Sequence, residues 1–177
     1  MADAERLLLV NVAELLRRPA SRKEVHVRAH LEGLRVGDAE VVPGSEIDVD
    51  VELESLTDGI VVTGRVVAEW EAPCRRCLAP VGGRADVAVR ELYQPPPRTD
   101  EDAFELHGEQ LDLEPLVREA VVLELPLAPL CRDDCRGLCT ICGADLNETD
   151  CGHDQRPVDP RWAALEGLAE RLEDETP

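Results

Sequence analysis

Two periods organise the chain. Between residues 24 and 93 apolar and polar positions alternate: Val25, Val27, Ala29 and Leu31 interleave with His26, Arg28 and His30, and Ile47, Val49, Val51 and Leu53 interleave with Asp48, Asp50, Glu52 and Glu54. A period of two sends one set of side chains to a core and the other to water, so both runs are expected as half-buried strands. Residues 60–71 and 84–93 supply two more, set off by turn signals at Pro43-Gly44-Ser45, Thr57-Asp58-Gly59 and Gly82-Gly83. An antiparallel meander or partial barrel follows. His26 and His30 share a strand face, but at about 3.3 Å per residue they stand roughly 13 Å apart, too far for one metal ion, and are expected to be solvated.

Helical periods flank this region. Near the start a short strand gives way to a helix, with Asn11 accepting from a first-turn amide, Glu14 returning the bond and Pro19 ending the segment. A second helix is capped by Asp112, runs through Leu116, Val117, Ala120 and Val121, and stops before Pro126. A last one opens at Asp159-Pro160, its apolar stripe being Trp162, Leu165, Leu168, Ala169 and Leu172, suited to core or to docking. Residues 94–112 carry three consecutive prolines and then Asp100, Glu101, Asp102, Glu105 and Glu109. They read as a linker or mobile loop, or as a face for a basic ribosomal or regulatory protein.

Composition narrows the partners. The 177 residues are 44% hydrophobic, so a core is available, but only 2% are aromatic and the net charge is -19. Four aromatic residues make no broad platform for stacking bases, and the summed field repels a polyanion. A basic partner is the natural complement. Arg17, Arg18, Arg22 and Lys23 gather at the first helix end, where they suit either the helix C-terminus or a contact to RNA or an acidic partner. Arg75 and Arg76 are further candidates for such a contact. No run approaches the roughly 20 apolar residues of a membrane helix, and Leu7-Leu8-Leu9-Val10 is short for a signal peptide. The expected location is cytoplasmic, with no membrane partner.

Seven cysteines in a reducing compartment favour metal or redox chemistry over a disulfide frame, and an odd number cannot pair completely. Cys74 and Cys77 form a C-x-x-C between two expected strands, where a hairpin turns both sulfurs inward and aims amides at them. Cys131, Cys135, Cys139 and Cys142 follow, then Cys151 and His153. Gly137-Leu138-Cys139-Thr140-Ile141-Cys142-Gly143 has the form of a zinc-ribbon knuckle, its last glycine allowing close backbone approach to sulfur. Seven Cys and His153 make eight ligands, the number required by two closed four-coordinate zinc sites. One partition groups Cys131, Cys135, Cys139 and Cys142, leaving Cys74, Cys77, Cys151 and His153. Another pairs the two C-x-x-C knuckles and leaves Cys131, Cys135, Cys151 and His153; a single site with spare thiols is a third outcome.

The rival for Cys74 and Cys77 is thiol redox catalysis, since neighbouring Arg lowers a thiol pKa. Such enzymes set the motif at a helix start, whereas Pro73 and the following strand pattern indicate a β turn. Four thiolates would also serve an iron-sulfur centre. Cys-rich sets close the position that a catalytic zinc keeps open, and no nucleophile triad, phosphate loop or H-E-x-x-H is present, so no enzyme is expected. The metal, one or two zinc ions, is expected to brace a small appendage. If the two cysteine clusters share ligands, metal removal should loosen the whole chain; otherwise the β domain should survive chelation. The expected class is α+β: the meander with an N-terminal helix, a packing helix, and a zinc-knuckle C-terminal segment ending in a helix. The expected divisions are 1–93 for the N-terminal helix and β domain, 94–112 for the linker, 113–130 for the packing helix and its connection, and 131–177 for the cysteine-rich segment.

The sequence resembles the bacterial YceD family, the large ribosomal RNA subunit accumulation proteins, in the form found in Gram-positive lineages. The N-terminal strand and helix, Cys74-Arg75-Arg76-Cys77-Leu78 and the segment from Leu111 to Glu119 carry the likeness. So do the run from Cys135 to Asn147 and Asp159-Pro160-Arg161-Trp162-Ala163-Ala164-Leu165. The resemblance implies a role in ribosomal RNA accumulation and ribosome biogenesis without an established enzymatic activity, the partner being a ribosomal precursor or a basic ribosomal protein. In this family the gene commonly adjoins that of a small large-subunit ribosomal protein. His153 stands where the family pattern has a second cysteine two positions after Cys151, and zinc accepts either. The competing functions are a thiol redox protein using Cys74 and Cys77 and a zinc-dependent interaction module in transcription.

Overall fold

The computed structural model describes residues 8–153; the helix expected from Asp159 onward lies outside them. The chain forms two compact units, Met1–Asp133 and Asp134–Pro177.

In the first unit the strands are β1 (Leu9–Asn11), β2 (Arg22–Ala29), β3 (Arg35–Val36), β4 (Ala39–Val41), β5 (Ile47–Ser55), β6 (Ile60–Pro73), β7 (Pro80–Gln94), β8 (Phe104–Glu105) and β9 (Gln110–Asp112). The helices are α1 (Ala13–Arg17) and α2 (Glu114–Glu124). The antiparallel β6–β7 hairpin is the spine. Its register runs from Ile60 opposite Tyr93 to Pro73 opposite Pro80. On its other edge β6 pairs first with β5, from Ser55 opposite Ile60 to Asp48 opposite Val67, and then with β4 at Val41 and Glu40. β2 completes that side, and the two-residue β8 joins the end of β7 in parallel.

The expected alternation is realised in β5, where Ile47, Val49, Val51 and Leu53 are buried and Asp48 and Asp50 are exposed. The exposed face of β2 and β5 is a ladder of opposite charges: Arg28 Nε lies 2.9 Å from Asp48 Oδ1, and His26 Nδ1 lies 2.9 Å from Asp50 Oδ1. His30 donates through Nδ1 to the Ser45 carbonyl at 2.9 Å. Both histidines are exposed, with carboxylates and a carbonyl as neighbours. Pairing of this kind also blunts β2 as a sheet edge.

The α+β expectation is overturned. Strand makes up 42% of the structure and helix 11%, so this is a mostly β protein. Two causes are visible. The N-terminal helix is only five residues long: Asn11 Oδ1 accepts from Ala13 N at 3.1 Å in a tight turn before it, and Arg18, preceding Pro19, is already extended at its end. The hairpin strands are also longer than expected, since Gly82 and Gly83 lie inside β7 and make no turn. There the Trp70 ring lies flat against the backbone: a Cβ on Gly83 would fall 2.7 Å from Trp70 Cζ2.

Residues 94–112, read from sequence as a linker or mobile loop, contain β8 and β9 and bury Leu106 and Leu111. The Gln94 side chain organises the turn, its Oε1 accepting from the amides of Thr99 and Asp100 at 3.0 Å each. α2 then crosses the sheet and buries Leu116, Val117 and Val121. Asp112 Oδ1 accepts from Glu114 N at 2.9 Å at the start of this helix.

Candidate metal centres

The Cys74-x-x-Cys77 pair forms the tip of the β6–β7 hairpin, the six residues between Pro73 and Pro80 making the turn. Cys74 N donates to the Ala79 carbonyl at 2.7 Å and Leu78 N donates to the Cys74 carbonyl at 2.9 Å. Arg76 N points at Cys74 Sγ, 3.5 Å away. Closing the turn puts Leu78 at φ +62°, a left-handed conformation costly for a residue with a Cβ.

The same knuckle recurs in the second unit. Cys139 N donates to the Ala144 carbonyl at 2.8 Å, Gly143 N donates to the Cys139 carbonyl at 2.8 Å, and Ile141 N lies 3.4 Å from Cys139 Sγ. Gly143, at φ +72°, takes the place of Leu78. The sequences Cys-Arg-Arg-Cys-Leu-Ala and Cys-Thr-Ile-Cys-Gly-Ala therefore encode one backbone form twice.

Long-range packing brings Cys131 to the first knuckle. Leu125, just past α2, is buried with Ala39 and Ala72, which anchors the chain beside the far end of β6. Four residues on, the Pro129 carbonyl accepts from Arg75 N at 2.8 Å. Cys131 Sγ then lies 3.6 Å from Cys77 Sγ. Cys135 supplies the fourth member, and the sulfurs of Cys74, Cys77, Cys131 and Cys135 all lie within 4.8 Å of one another. The second group consists of Cys139, Cys142, Cys151 and His153, within the same limit; Cys139 Sγ lies 3.7 Å from His153 Nδ1.

Both groups fit a closed metal site. Metal–sulfur bonds of about 2.3 Å in a tetrahedron place ligand atoms about 3.6–3.8 Å apart, matching the separations above. The two cysteine-rich groups could thus each hold a metal ion. This partition differs from both of those enumerated from spacing. The amide of Cys77, with those of Cys131 and Arg76, holds the Cys74 thiol down to about 6 against the upward push of burial. For Cys151 the His153 amide acts downward, but the Cys139 and Cys142 sulfurs and burial raise the thiol overall. Cys74 is thus the more readily ionised of these two thiols, and metal binding competes with the proton at each.

One supporting residue went unnoticed in the sequence. Asn147 Nδ2 donates to Cys135 Sγ at 3.5 Å, and its Oδ1 accepts from Arg136 N at 2.8 Å. This is an outer-shell brace that orients a ligand. The Asp145-x-Asn147 spacing, closed by Asp145 Oδ1 accepting from Asn147 N at 2.8 Å, was its only sequence trace.

Of the basic candidates, Arg75 and Arg76 sit in the first knuckle, whereas Arg17, Arg18, Arg22 and Lys23 gather about the end of α1 and the start of β2. Arg17 pairs with Glu109 at 3.2 Å, Arg22 with Glu52 and Glu54 at 3.2 and 3.3 Å, and Lys23 Nζ donates to the Asn11 carbonyl at 2.8 Å. Exposed Arg18, Arg22 and Lys23 border an open cleft of about 430 Å³, which Arg17 does not line. Arg76 reaches the Asp133 carbonyl at 3.4 Å, while Arg75 is exposed and contributes its amide to Pro129. Among the described residues no helix is long and apolar enough to cross a membrane.

Comparison with known proteins supplies an independent line. The family model for the large ribosomal RNA subunit accumulation protein YceD matches residues 62–169, a span containing both cysteine groups. An uncharacterized protein of Mycobacterium tuberculosis is 41% identical over 167 residues, covering 89% of this chain and 79% of its own. The uncharacterized protein YlbN of Bacillus subtilis is 25% identical over 123 residues, 67% of this chain and 69% of the relative. A protein of Arabidopsis thaliana named large ribosomal RNA subunit accumulation protein YCED homolog 1, chloroplastic, is 30% identical over 64 residues, 36% of this chain and 20% of the relative. No solved structure matches.

Proposed function

The chain belongs to the YceD family of large ribosomal RNA subunit accumulation proteins, and from that membership we propose that it is a non-catalytic, zinc-stabilised factor in large-subunit ribosomal RNA accumulation and ribosome biogenesis. The observation that carries the non-catalytic half is the composition of the two centres. Each set offers four protein ligands, all cysteines in one case and three cysteines with a histidine in the other, and a tetrahedral ion held by all four has no position left for water or substrate. Zinc suits this role because it is redox-inert and accepts thiolate and imidazole in one tetrahedron. Bound there it supplies folding energy, on the order of 10 kcal/mol for a small site.

The acidic chain favours a basic ribosomal protein, or a precursor particle presenting one, over bare RNA. Against thiol redox catalysis stands the setting of Cys74: it lies at a hairpin tip with three other sulfurs within ligand distance, between two strands rather than at the start of a helix.

Depletion of the protein in its host tests the biological reading. Mature large-subunit RNA should fall relative to small-subunit RNA, and re-expression should restore it. An unchanged ratio after complete depletion would refute the assignment.

A further inference from the structure

α2 uses only part of its surface on the core. Leu116, Val117 and Val121 are buried, while Ala120 and Leu123 continue from Leu116 as a stripe that opens toward β7. Opposite lie Val87 and Val89, with Phe104 from β8. Together they form a groove of about 210 Å³ with an apolar floor. Leu123 is 78% exposed there, although it sits in an ordered helix beside a buried core, and Leu127 just beyond the helix is 82% exposed.

The rim has one sign of charge. Glu91, Glu119 and Glu124 border the groove, and among the described residues no Lys or Arg lines it. Glu91 stands on the same face of β7 as Val87 and Val89, and its carboxyl is raised from the ordinary value by partial burial and by the charges of Glu119 and Asp102. Three carboxylates around an apolar floor give the groove a negative rim that complements a cationic ligand.

We propose that this groove docks a short amphipathic segment of a basic partner protein, with hydrophobic side chains seated beside Leu123 and flanking Lys or Arg paired to Glu91, Glu119 and Glu124. Charge decides among the possible occupants. A second copy of this chain would bring another acidic rim from a molecule of net charge -19, and a nucleic acid would set phosphates against carboxylates. A helix-in-groove or strand-like segment with cationic flanks satisfies both the floor and the rim. The inference rests on the reading above and gives its basic partner a place to bind.

The test uses the full-length, metal-loaded protein and a fluorescent amphipathic Leu/Lys peptide, with a Leu/Glu peptide and a Ser/Lys peptide as controls. The Leu/Lys peptide should bind, and Leu123→Ser should weaken it by about tenfold or more. Glu119→Lys combined with Glu124→Lys should abolish its preference over the Leu/Glu peptide. Circular dichroism verifies that the variants keep their strands. Equal binding by the Ser/Lys peptide, indifference to both variants, or displacement of the peptide by a short RNA hairpin would each overturn the proposal. In depleted cells, full rescue by Leu123→Ser at normal abundance would sink the groove while leaving the ribosomal role intact. Normal ribosomal RNA on depletion would sink that role even if the peptide binds as expected.

Discussion

The amide of Arg75, at the tip of the β6–β7 hairpin, donates to the carbonyl of Pro129 at 2.8 Å. This bond joins segments more than fifty residues apart and involves no ligand atom. It brings Cys131 beside Cys77, so the arrangement of these thiols is set by backbone pairing as well as by whatever ion they hold.

The partition of ligands is testable by paired substitutions. Cys74→Ser with Cys131→Ser strikes one centre here, but strikes both in either arrangement drawn from spacing alone. Elemental analysis should find zinc falling from about two ions per chain to about one. The pair Cys74→Ser with Cys151→Ser should remove nearly all zinc. Loss of all zinc from the first pair would refute the grouping.

Thiol reactivity separates metal protection from burial. Cys131 and Cys142 are exposed, whereas Cys74, Cys77, Cys135 and Cys139 are buried. A disulfide reagent applied to the native protein should leave all seven thiols nearly unreactive, and a strong chelator should release them. If Cys131 and Cys142 react at once in freshly purified, metal-replete protein, the ions do not hold them.

Tyr93 links β7 to the start of α2, its hydroxyl donating to the Asp112 carbonyl at 2.9 Å while its ring stacks on Phe104 at 5.1 Å. Burial, with the charges of Asp112 and Glu91, raises the phenol above its ordinary 10.0. A raised folded-state pKa means that the stabilisation is present in full below the unfolded value and is lost as pH climbs above it. Stability should therefore decline above about pH 10. Tyr93 is the sole tyrosine, so tyrosinate absorbance follows this residue alone and should appear only with unfolding. Tyr93→Phe should cost about 1 kcal/mol at neutral pH and remove the tyrosine contribution to alkaline sensitivity. Tyrosinate formation near pH 10 in the folded protein would contradict the burial argument.

The two knuckles differ in one informative residue. Leu78 is 63% exposed at φ +62°, where Gly143 occupies the equivalent turn. Leu78→Gly relieves left-handed strain and gives up little packing, against the entropy cost of glycine. Urea denaturation of the metal-loaded protein should show a gain of about 0.5–1 kcal/mol. A loss of comparable size would mean that the Leu78 side chain makes a stabilising contact.

The alternation of β2 and β5 and the hairpin setting of Cys74 and Cys77 were legible in the sequence, because each is written in residues close together along the chain, and the family resemblance was legible as an ordered series of such short runs. A two-residue period reports its own burial, and C-x-x-C followed by Leu78 or Gly143 carries its own turn. Tertiary structure alone decided which sulfurs meet. The route from α2 through Leu125 to Pro129 depends on packing against Ala72 and on a bond to Arg75, partners more than fifty residues earlier, and no local period encodes that return. The same holds for Gly83, which reads as a turn until Trp70 is found lying on it, and for residues 94–112, whose charges suggest a loop while buried Leu106 and Leu111 tie it to the core. Local physics set the elements and the ligand chemistry; long-range packing set the mostly β balance, the pairing of ligands and the acidic groove beside α2.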